Sequence, residues 1–571
     1  MGLLRELQLC RTALEDDTKS AAEIKKEIIQ NNIYGVDIEK GAVDIARLRF
    51  WLALIVDEKT PHALPNLDFK IMQGNSLLEQ YEIDEKHSIT LNDIVEKNQK
   101  HVQIANRMSP LFKGQNVLTD LAQTLSDYYS ITDHEQKQIA KAGIDDCVRQ
   151  YIKTKIHRTY RKSSQIVQRA TALNKLENTQ LINQEFFLWH TWFNDIFERG
   201  GFDIVIANPP YGYIFKNKKD MDLMLSLYST AEYKVEAYSI FVEHGINILK
   251  DKGTLCYITP YTFISGVYFS RLRDFLSKYN MNTFVVLGKK IFETAEVDTG
   301  IYVVKKDNES GYVRLSDVRE EDNNQKLIDV NYWKLSHAKF MAQHHNVLLM
   351  SIENEVDLYN KLYAQKGIYL LSDCIEFYHG IQTRGNKKSL LLTCEPNSMP
   401  IVKGADFNRY TFTGAKNYII PSKSTIKSGG EIVKYTGYPE KILVRTTADS
   451  IVATIDTTKS LALNSVNVAN LIKNDLSLYA ILGIMNSKLM DFWYRLTVQE
   501  KNKTFAEVKI VYLERMPILF NMDIFKNIDA AVRERLKQQE KETLESEINH
   551  LVYDLYGLTE DEIKIVEEST K

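Results

Sequence analysis

The chain has 571 residues, 44% of them hydrophobic, and a formal net charge of −3. That length exceeds what one hydrophobic core serves, so at least two domains are expected, and any nucleic-acid surface must come from local sorting of Lys and Arg rather than from global charge. The five cysteines show no CxxC spacing, which argues against a zinc site or a disulfide framework. With no signal-peptide pattern and no apolar run long enough to span a bilayer, the chain reads as cytoplasmic, with no membrane contact.

Residues 1–30 read as helix, beginning without any preceding loop. Residues 33–39 (Ile33-Tyr34-Gly35-Val36-Asp37-Ile38-Glu39) read as a short strand ending in an acid, followed by a helix over 41–56. An acid at this place in a nucleotide-binding βαβ unit accepts hydrogen bonds from ribose hydroxyls, and Asp37, with Ile38 beside it, is the candidate. A helix N-cap or first-turn acid is an equally good account of Asp37 from its spacing alone. Residues 68–77 form the next strand and turn. Here Asn75, followed by Ser76, either meets the edge of a cofactor's adenine or makes an ordinary Gly-Asn turn.

Residues 80–195 are polar and mostly helical in period, as in 118–129 and 134–173. Lys153, Lys155, His157, Arg158, Arg161, Lys162 and Arg169, interleaved with Tyr151 and Tyr160, form a basic stretch. It reads either as a phosphate-facing surface or, more simply, as the solvated face of a helical insertion.

The next stretch, Ile204-Val205-Ile206-Ala207-Asn208-Pro209-Pro210-Tyr211, reads as a short buried strand running into a rigid loop. Two prolines stop the strand and force the residues before them into extended geometry. The Asn208 amide oxygen and the Pro209 carbonyl are then two fixed acceptors, and Tyr211 presents a flat face beside them. Such a loop suits an exocyclic amine on a planar base: two acceptors for its two hydrogens, a ring to stack on, and stabilisation of positive charge on nitrogen as it attacks a methyl group. Lys216, Lys218 and Lys219 follow, suited to flanking phosphates or simply to an exposed loop.

A helix over 237–250, a strand over 253–259, a helix over 270–278 and strands near 283–287 and 300–304 complete the set. Phe292 lies between the last two strands, where it either covers the other face of an extruded base or packs in the core. Beyond residue 340 segments shorten. Stretches 380–386 (Gly-Ile-Gln-Thr-Arg-Gly-Asn), 402–406 and 441–446 read as strand-and-loop elements, 478–495 as one apolar helix and 526–571 as charged helices. Arg and Gln on irregular loops of a separate domain suit major-groove reading.

Asn-Pro-Pro-Tyr at 208–211 resembles motif IV of the amino-group DNA methyltransferases. The order of strand-acid, Gly-Asn-Ser turn, helical insertion, NPPY and second domain resembles, over nearly the whole chain, the large adenine-specific DNA methyltransferases of the type IIG restriction–modification and BREX phage-defence families. The segments IYGVDIEKGAVDIARLRFWLALI, GNSLL, FDIVIANPPYG, GIQTRGN, KILVR and LVYDLYGLTEDEI carry the likeness. The resemblance implies a Rossmann-like class I methyltransferase sheet with a helical insertion and a separate mixed α+β target-recognition domain. It implies S-adenosylmethionine as cofactor, double-stranded DNA as partner, and methylation of adenine N6 after the base has left the stack. Asn208, Pro209, Pro210 and Tyr211 are the expected catalytic residues. Asp37, Ile38, Asn75, Ser76 and Asn208 are the expected cofactor contacts.

The expected parts are a first methyltransferase segment (1–80), the insertion (81–196), a second methyltransferase segment (197–339), a target-recognition domain (340–525) and C-terminal helices (526–571). The family's first motif, Asp-Pro-Ala-x-Gly-Ser-Gly-x-Phe, is absent. That departure reads as an N-terminally truncated sheet, either the C-terminal portion of a longer protein or one half of a split one whose upstream chain supplies the glycine loop, with restriction left to a defence partner or another domain. The alternative is a DNA-binding specificity component without methylation activity of its own. A third reading, methylation of protein glutamine or of RNA, shares the NPPY chemistry and is disfavoured by the large second domain.

Overall fold

The structure is a computed structural model that describes residues 2–14, 19–56, 66–84, 87–90, 121, 124–125, 127–129, 131, 133–183, 185–288, 291–292, 297–309, 311–319, 330–341, 347–384, 390–429, 438–472, 476–499, 507–537 and 542–570. The chain forms two compact units: residues 1–205 with 244–253, and residues 206–243 with 254–571.

In the first unit the helical N-terminus is two helices, Gly2–Leu14 and Ala21–Asn31, where one was expected. Ser20 starts the second: its hydroxyl accepts from the Glu23 backbone N–H, and the Glu23 carboxylate accepts in return from Ser20 N at 2.7 Å. Strands Gly35–Asp37 and Ile71–Gln73 pair in parallel, joined through the helix Lys40–Ile55. Arg47 of that helix clamps the second strand, donating to the carbonyls of Asp68 at 2.9 Å and Ile71 at 2.6 Å.

The insertion is less uniformly helical than its sequence reads. A hairpin, Gln80–Asp84 with His87–Thr90, opens it, and the long helix breaks into His134–Thr159 and Ile166–Asn178. Of the stretch 118–129, only residues 121, 124–125 and 127–129 are described, all helical. Ile144, Val148, Tyr151, Ile152 and Ile156 share one core with Phe69, Phe187, Leu188 and Trp192. The basic stretch is accordingly not one continuous polar face: Lys155, Tyr151 and Tyr160 are buried, whereas His157, Arg158, Arg161 and Lys162 are exposed.

A six-stranded mixed sheet runs in the order Trp333–Ser336, Tyr312–Asp317, Asn280–Gly288, Thr299–Lys305, Leu249–Pro260 and Phe202–Ala207. Thr299–Lys305 is antiparallel to both Leu249–Pro260 and Asn280–Gly288, and the latter is parallel to Tyr312–Asp317. Phe202–Ala207, expected to be buried, is an edge strand with Ile204 and Ile206 half exposed, because one of its faces is left uncovered by the described residues.

The C-terminal part of the second unit holds an antiparallel sheet ordered Ile375–His379, Val466–Leu471, Lys441–Arg445, Ala453–Asp456. Of the stretch 380–386, Gly385 and Asn386 lie outside the described residues. The expected single helix over 478–495 is two, Leu478–Met485 and Lys488–Val498. Asn486 leaves the helix to pair its side-chain amide with Ala453, donating and accepting at 2.9 and 3.0 Å, and Ser487 caps the next helix. Helices Met522–Lys537, Glu542–Leu555 and Glu560–Ser569 close the chain.

Candidate active site

The geometry of the loop after Phe202–Ala207 is local. Asn208 and Pro210 are exposed, Pro209 is buried, and Tyr211 is half-buried. The Tyr211 hydroxyl donates to the Asn208 side-chain oxygen at 2.7 Å and lies 3.4 Å from the Ile258 carbonyl on the strand Leu249–Pro260. Asn208 is thus held by the residue three positions on, as two consecutive prolines and the positive φ of Gly212 (+84°) direct the chain back. Burial pushes the Tyr211 phenol up to about 12, so it remains a donor at physiological pH. Phe292 is half-buried and lies edge-on to Tyr211, with ring centroids 6.3 Å apart.

Glu236 completes the loop and was not singled out in the sequence. Burial raises the pKa of its carboxyl, which lies near the Gly212 backbone and the Tyr213 hydroxyl. The available signal was its place directly before the apolar helix Ala237–Ile248, where a carboxylate meets free backbone N–H groups. Lys216, Lys218 and Lys219 are exposed, the last two opening the helix Lys218–Leu227.

In the first unit, Asp37 and Asn75 come together at the ends of the paired strands. Asp37 stands opposite Gln73, and Gly74 N donates to the Asp37 carbonyl at 2.9 Å. One Asp37 carboxylate oxygen accepts from Glu39 N at 2.8 Å, the carboxylate is exposed, and among the described residues its other oxygen accepts no hydrogen bond. The Ile38 carbonyl accepts from the Gln73 amide at 3.0 Å. Asn75 turns the chain, its side-chain oxygen accepting from Leu77 N at 3.2 Å, and the Ser76 carbonyl accepts from the Trp189 indole at 3.0 Å. Asp37 and Asn75 organise turns at adjacent parallel strand ends, and Asp37 is neither the N-cap nor a first-turn acid of the following helix, whose N-cap is Glu39. A Cβ on Gly74 would sit 2.5 Å from the Phe187 ring, so the turn between them requires glycine.

The profile of the Eco57I restriction-modification methylase family matches residues 31–292, and that of the TaqI-like C-terminal specificity domain matches residues 399–518. The chain is 24% identical over 626 residues to a putative type II restriction enzyme and methyltransferase of Methanocaldococcus jannaschii, covering 97% of this chain and 51% of that protein. It is 32% identical over 114 residues to a type II methyltransferase of Thermus thermophilus, covering 18% of this chain and 25% of that one. The chain thus spans about half the length, or less, of these curated relatives. Among solved structures, a nuclease-deletion mutant of the Type ISP restriction-modification enzyme LlaGI, in complex with a DNA substrate mimic, matches with a TM-score of 0.47 and 11% identity, over 94% of this chain and 43% of that one. The fold is methyltransferase-like α/β with mixed sheets, joined to a C-terminal specificity domain.

Proposed function

We propose that this chain, which joins an Eco57I-type restriction-modification methylase region to a TaqI-like specificity region, is a cytoplasmic S-adenosylmethionine-dependent methyltransferase acting on adenine N6 in double-stranded DNA. The observation that carries the reading is the Asn208–Tyr211 loop, a fixed amide acceptor exposed beside an aromatic ring at the end of a strand. An adenine amine inside a duplex is not accessible to such a site, so the base must be extruded.

The Asn208 side-chain oxygen and the Pro209 carbonyl accept the two amine hydrogens. Both stabilise the positive charge that develops on the nitrogen as it attacks, which is electrostatic stabilisation by groups already in place. Tyr211 stacks on the base, with Phe292 at the margin of the same site. The Tyr211 hydroxyl uses one lone pair of the Asn208 oxygen and leaves the other for substrate. No cysteine nucleophile is needed, because the amine itself attacks.

S-adenosylmethionine, when bound, supplies the electrophilic methyl group. The exposed Asp37 carboxylate fits its ribose hydroxyls, and Asn75 fits the edge of its adenine, with Ile38 and Ser76 alongside. A strand antiparallel to two neighbours that are parallel to one another supports a Rossmann-like class I assignment. The domain limits proposed remain 1–80, 81–196, 197–339, 340–525 and 526–571.

Two features support a glycine-loop segment outside these residues, in the same polypeptide or in another. The motif is absent from these 571 residues. The helix Lys40–Ile55 also leaves Ile45, Leu48, Leu52 and Ile55 about half exposed along one stripe. Restriction is assigned to a partner or another domain.

Asn208→Ala tests the reading. Methyl transfer to DNA, measured with labelled cofactor in the complete assembly, should fall by about a hundredfold or more, the scale of losing an oriented acceptor. Duplex binding should be kept, and unchanged methylation would remove Asn208 from catalysis.

A further inference from the structure

A second built feature adjoins the Asn208 loop, in the segment between the helices Lys218–Leu227 and Ala237–Ile248. Two of its residues hold left-handed backbone, Tyr233 at φ +49° and Val235 at φ +52°. For a β-branched residue this is a strained conformation, kept only where the surroundings enforce it. Two carboxylates fix the residues around it, and Val235 N closes a turn by donating to the Glu232 carbonyl at 3.0 Å. Glu243 accepts from Ser229 N at 3.1 Å, the Ser229 hydroxyl at 3.0 Å and Thr230 N at 2.8 Å. Glu232 accepts from the Ser270 hydroxyl at 3.0 Å and Arg271 N at 3.2 Å, while Arg271 donates to the Ala231 carbonyl at 2.8 Å. The next residue ties the segment to the Asn208 loop, Ala237 N donating to the Gly212 carbonyl at 3.2 Å.

This framework holds three aromatic rings out in solvent. Tyr213, Tyr233 and Tyr268 are 52%, 61% and 56% exposed, too open to serve as core. Tyr233 and Tyr268 stack at 4.8 Å with planes 19° apart. The Lys234 ammonium lies 5.8 Å from the Tyr213 ring and 5.6 Å from the Tyr233 ring. Rigid exposed rings beside a cation are the combination that binds unpaired bases: the π-face takes any base and the ammonium takes the phosphate. In intact duplex both faces of each base are covered. Extruding one adenine uncovers one face of each of its stacking neighbours and leaves its former partner unpaired, free to leave the stack for an aromatic face.

We infer that Tyr213, Tyr233 and Tyr268, with Lys234, form a stacking platform for an unpaired nucleobase of the substrate DNA other than the adenine held at Asn208. The inference rests on the DNA-methyltransferase reading, and the platform is separate from the Asn208–Tyr211 acceptor site.

Because stacking tolerates sequence, the test needs no recognition site. A single-stranded oligothymidylate carrying one 2-aminopurine is titrated with the full chain, and a fully paired duplex of equal length is the reference. The native chain should bind the single strand and quench the 2-aminopurine. Tyr233→Ala and Tyr268→Ala should each weaken single-strand binding about tenfold and relieve the quenching, the effect of losing one base–aromatic stack, with duplex affinity unchanged. Tyr233→Phe should behave as native. Lys234→Glu, an exposed change that leaves the rings in place, should weaken single-strand binding alone. Native-like quenching and affinity in both alanine variants would overturn the platform, as would duplex binding without single-strand binding, and both outcomes leave the Asn208 assignment standing. A native chain that binds neither probe would overturn the platform together with the DNA reading beneath it.

Discussion

Tyr211 combines two roles that substitutions can separate. Its ring offers a stacking face, and its hydroxyl restrains Asn208 at 2.7 Å. Tyr211→Phe keeps the ring and frees the amide, so methylation should drop only a few-fold, as for one neutral hydrogen bond. Tyr211→Ala removes the stack and should cost about tenfold or more. With the phenol pushed up to about 12, its ionisation lies above the range of an ordinary tyrosine. The Tyr211→Phe to native rate ratio should therefore stay constant from about pH 7 to about pH 10. A ratio that drifts as pH nears 10 would mark a phenol free of burial. Lys155 tests a different point. Its amine is buried in the insertion without a hydrogen-bond partner among the described residues, and burial lowers its pKa from 10.5 to about 8. Between these values the unfolded chain binds a proton that the folded chain does not, so this group's contribution to stability rises with pH from 8 to 10.5, and below 8 the cost of burying the charge is complete. Lys155→Met should accordingly stabilise the protein at neutral pH by roughly 1–3 kcal/mol, seen in thermal or urea unfolding, and the gain should shrink at alkaline pH.

Elements show where sequence reading stops. The NPPY loop was legible because its geometry is set by adjacent residues: two prolines and a hydrogen bond from position 211 to position 208. The Asp37 and Asn75 strand ends were legible because short parallel strands either side of one helix must bring their carboxyl ends together. The break at Ser20 carried its signature, Ser20-Ala-Ala-Glu23, and so did the burial of Lys155, which continues the apolar stripe of Ile144, Val148 and Ile152. Polarity in both places masked the pattern. The Tyr233–Tyr268 stack had no local signal, since its partners are far apart in sequence and the segment is anchored to Ser270 and Arg271 on a distant helix. Gly380 sits between these cases: its composition marks a loop, but only the fold shows why glycine is required. A Cβ there would meet the Leu463 carbonyl oxygen at 2.0 Å, where Gly380 N donates to the Val466 carbonyl at 3.1 Å and Ile381 N to the Ala462 carbonyl at 2.7 Å. Backbone cannot yield as a side chain does. Gly380→Ala should therefore destabilise the specificity region by roughly 1–3 kcal/mol or more and lower duplex affinity. Native unfolding and binding in that variant would show that the strands separate more easily than their hydrogen bonding implies.

At the scale of the molecule, the cofactor decides between enzyme and specificity component. Asp37 and Asn75 are the contacts proposed to a ribose and an adenine, the first exposed and the second half-buried at paired strand ends. Nothing in the 571 residues matches the glycine loop that brings backbone N–H groups to the methionine portion. Half a set of contacts yields much less than half the affinity, because the cost of immobilising the ligand is met only once. Calorimetric titration of the full chain with S-adenosylmethionine should thus show weak binding, strengthened about a hundredfold or more when a polypeptide carrying the glycine loop is co-expressed. In that assembly Asp37→Ala should weaken binding, which ties the site to this chain rather than to the added segment alone. Tight binding by the chain alone, lost in Asp37→Ala, would mean that the ribose and adenine contacts suffice and that no second polypeptide is needed. No binding in either preparation, with the added segment folded, would instead favour a protein that reads DNA and leaves the chemistry to another.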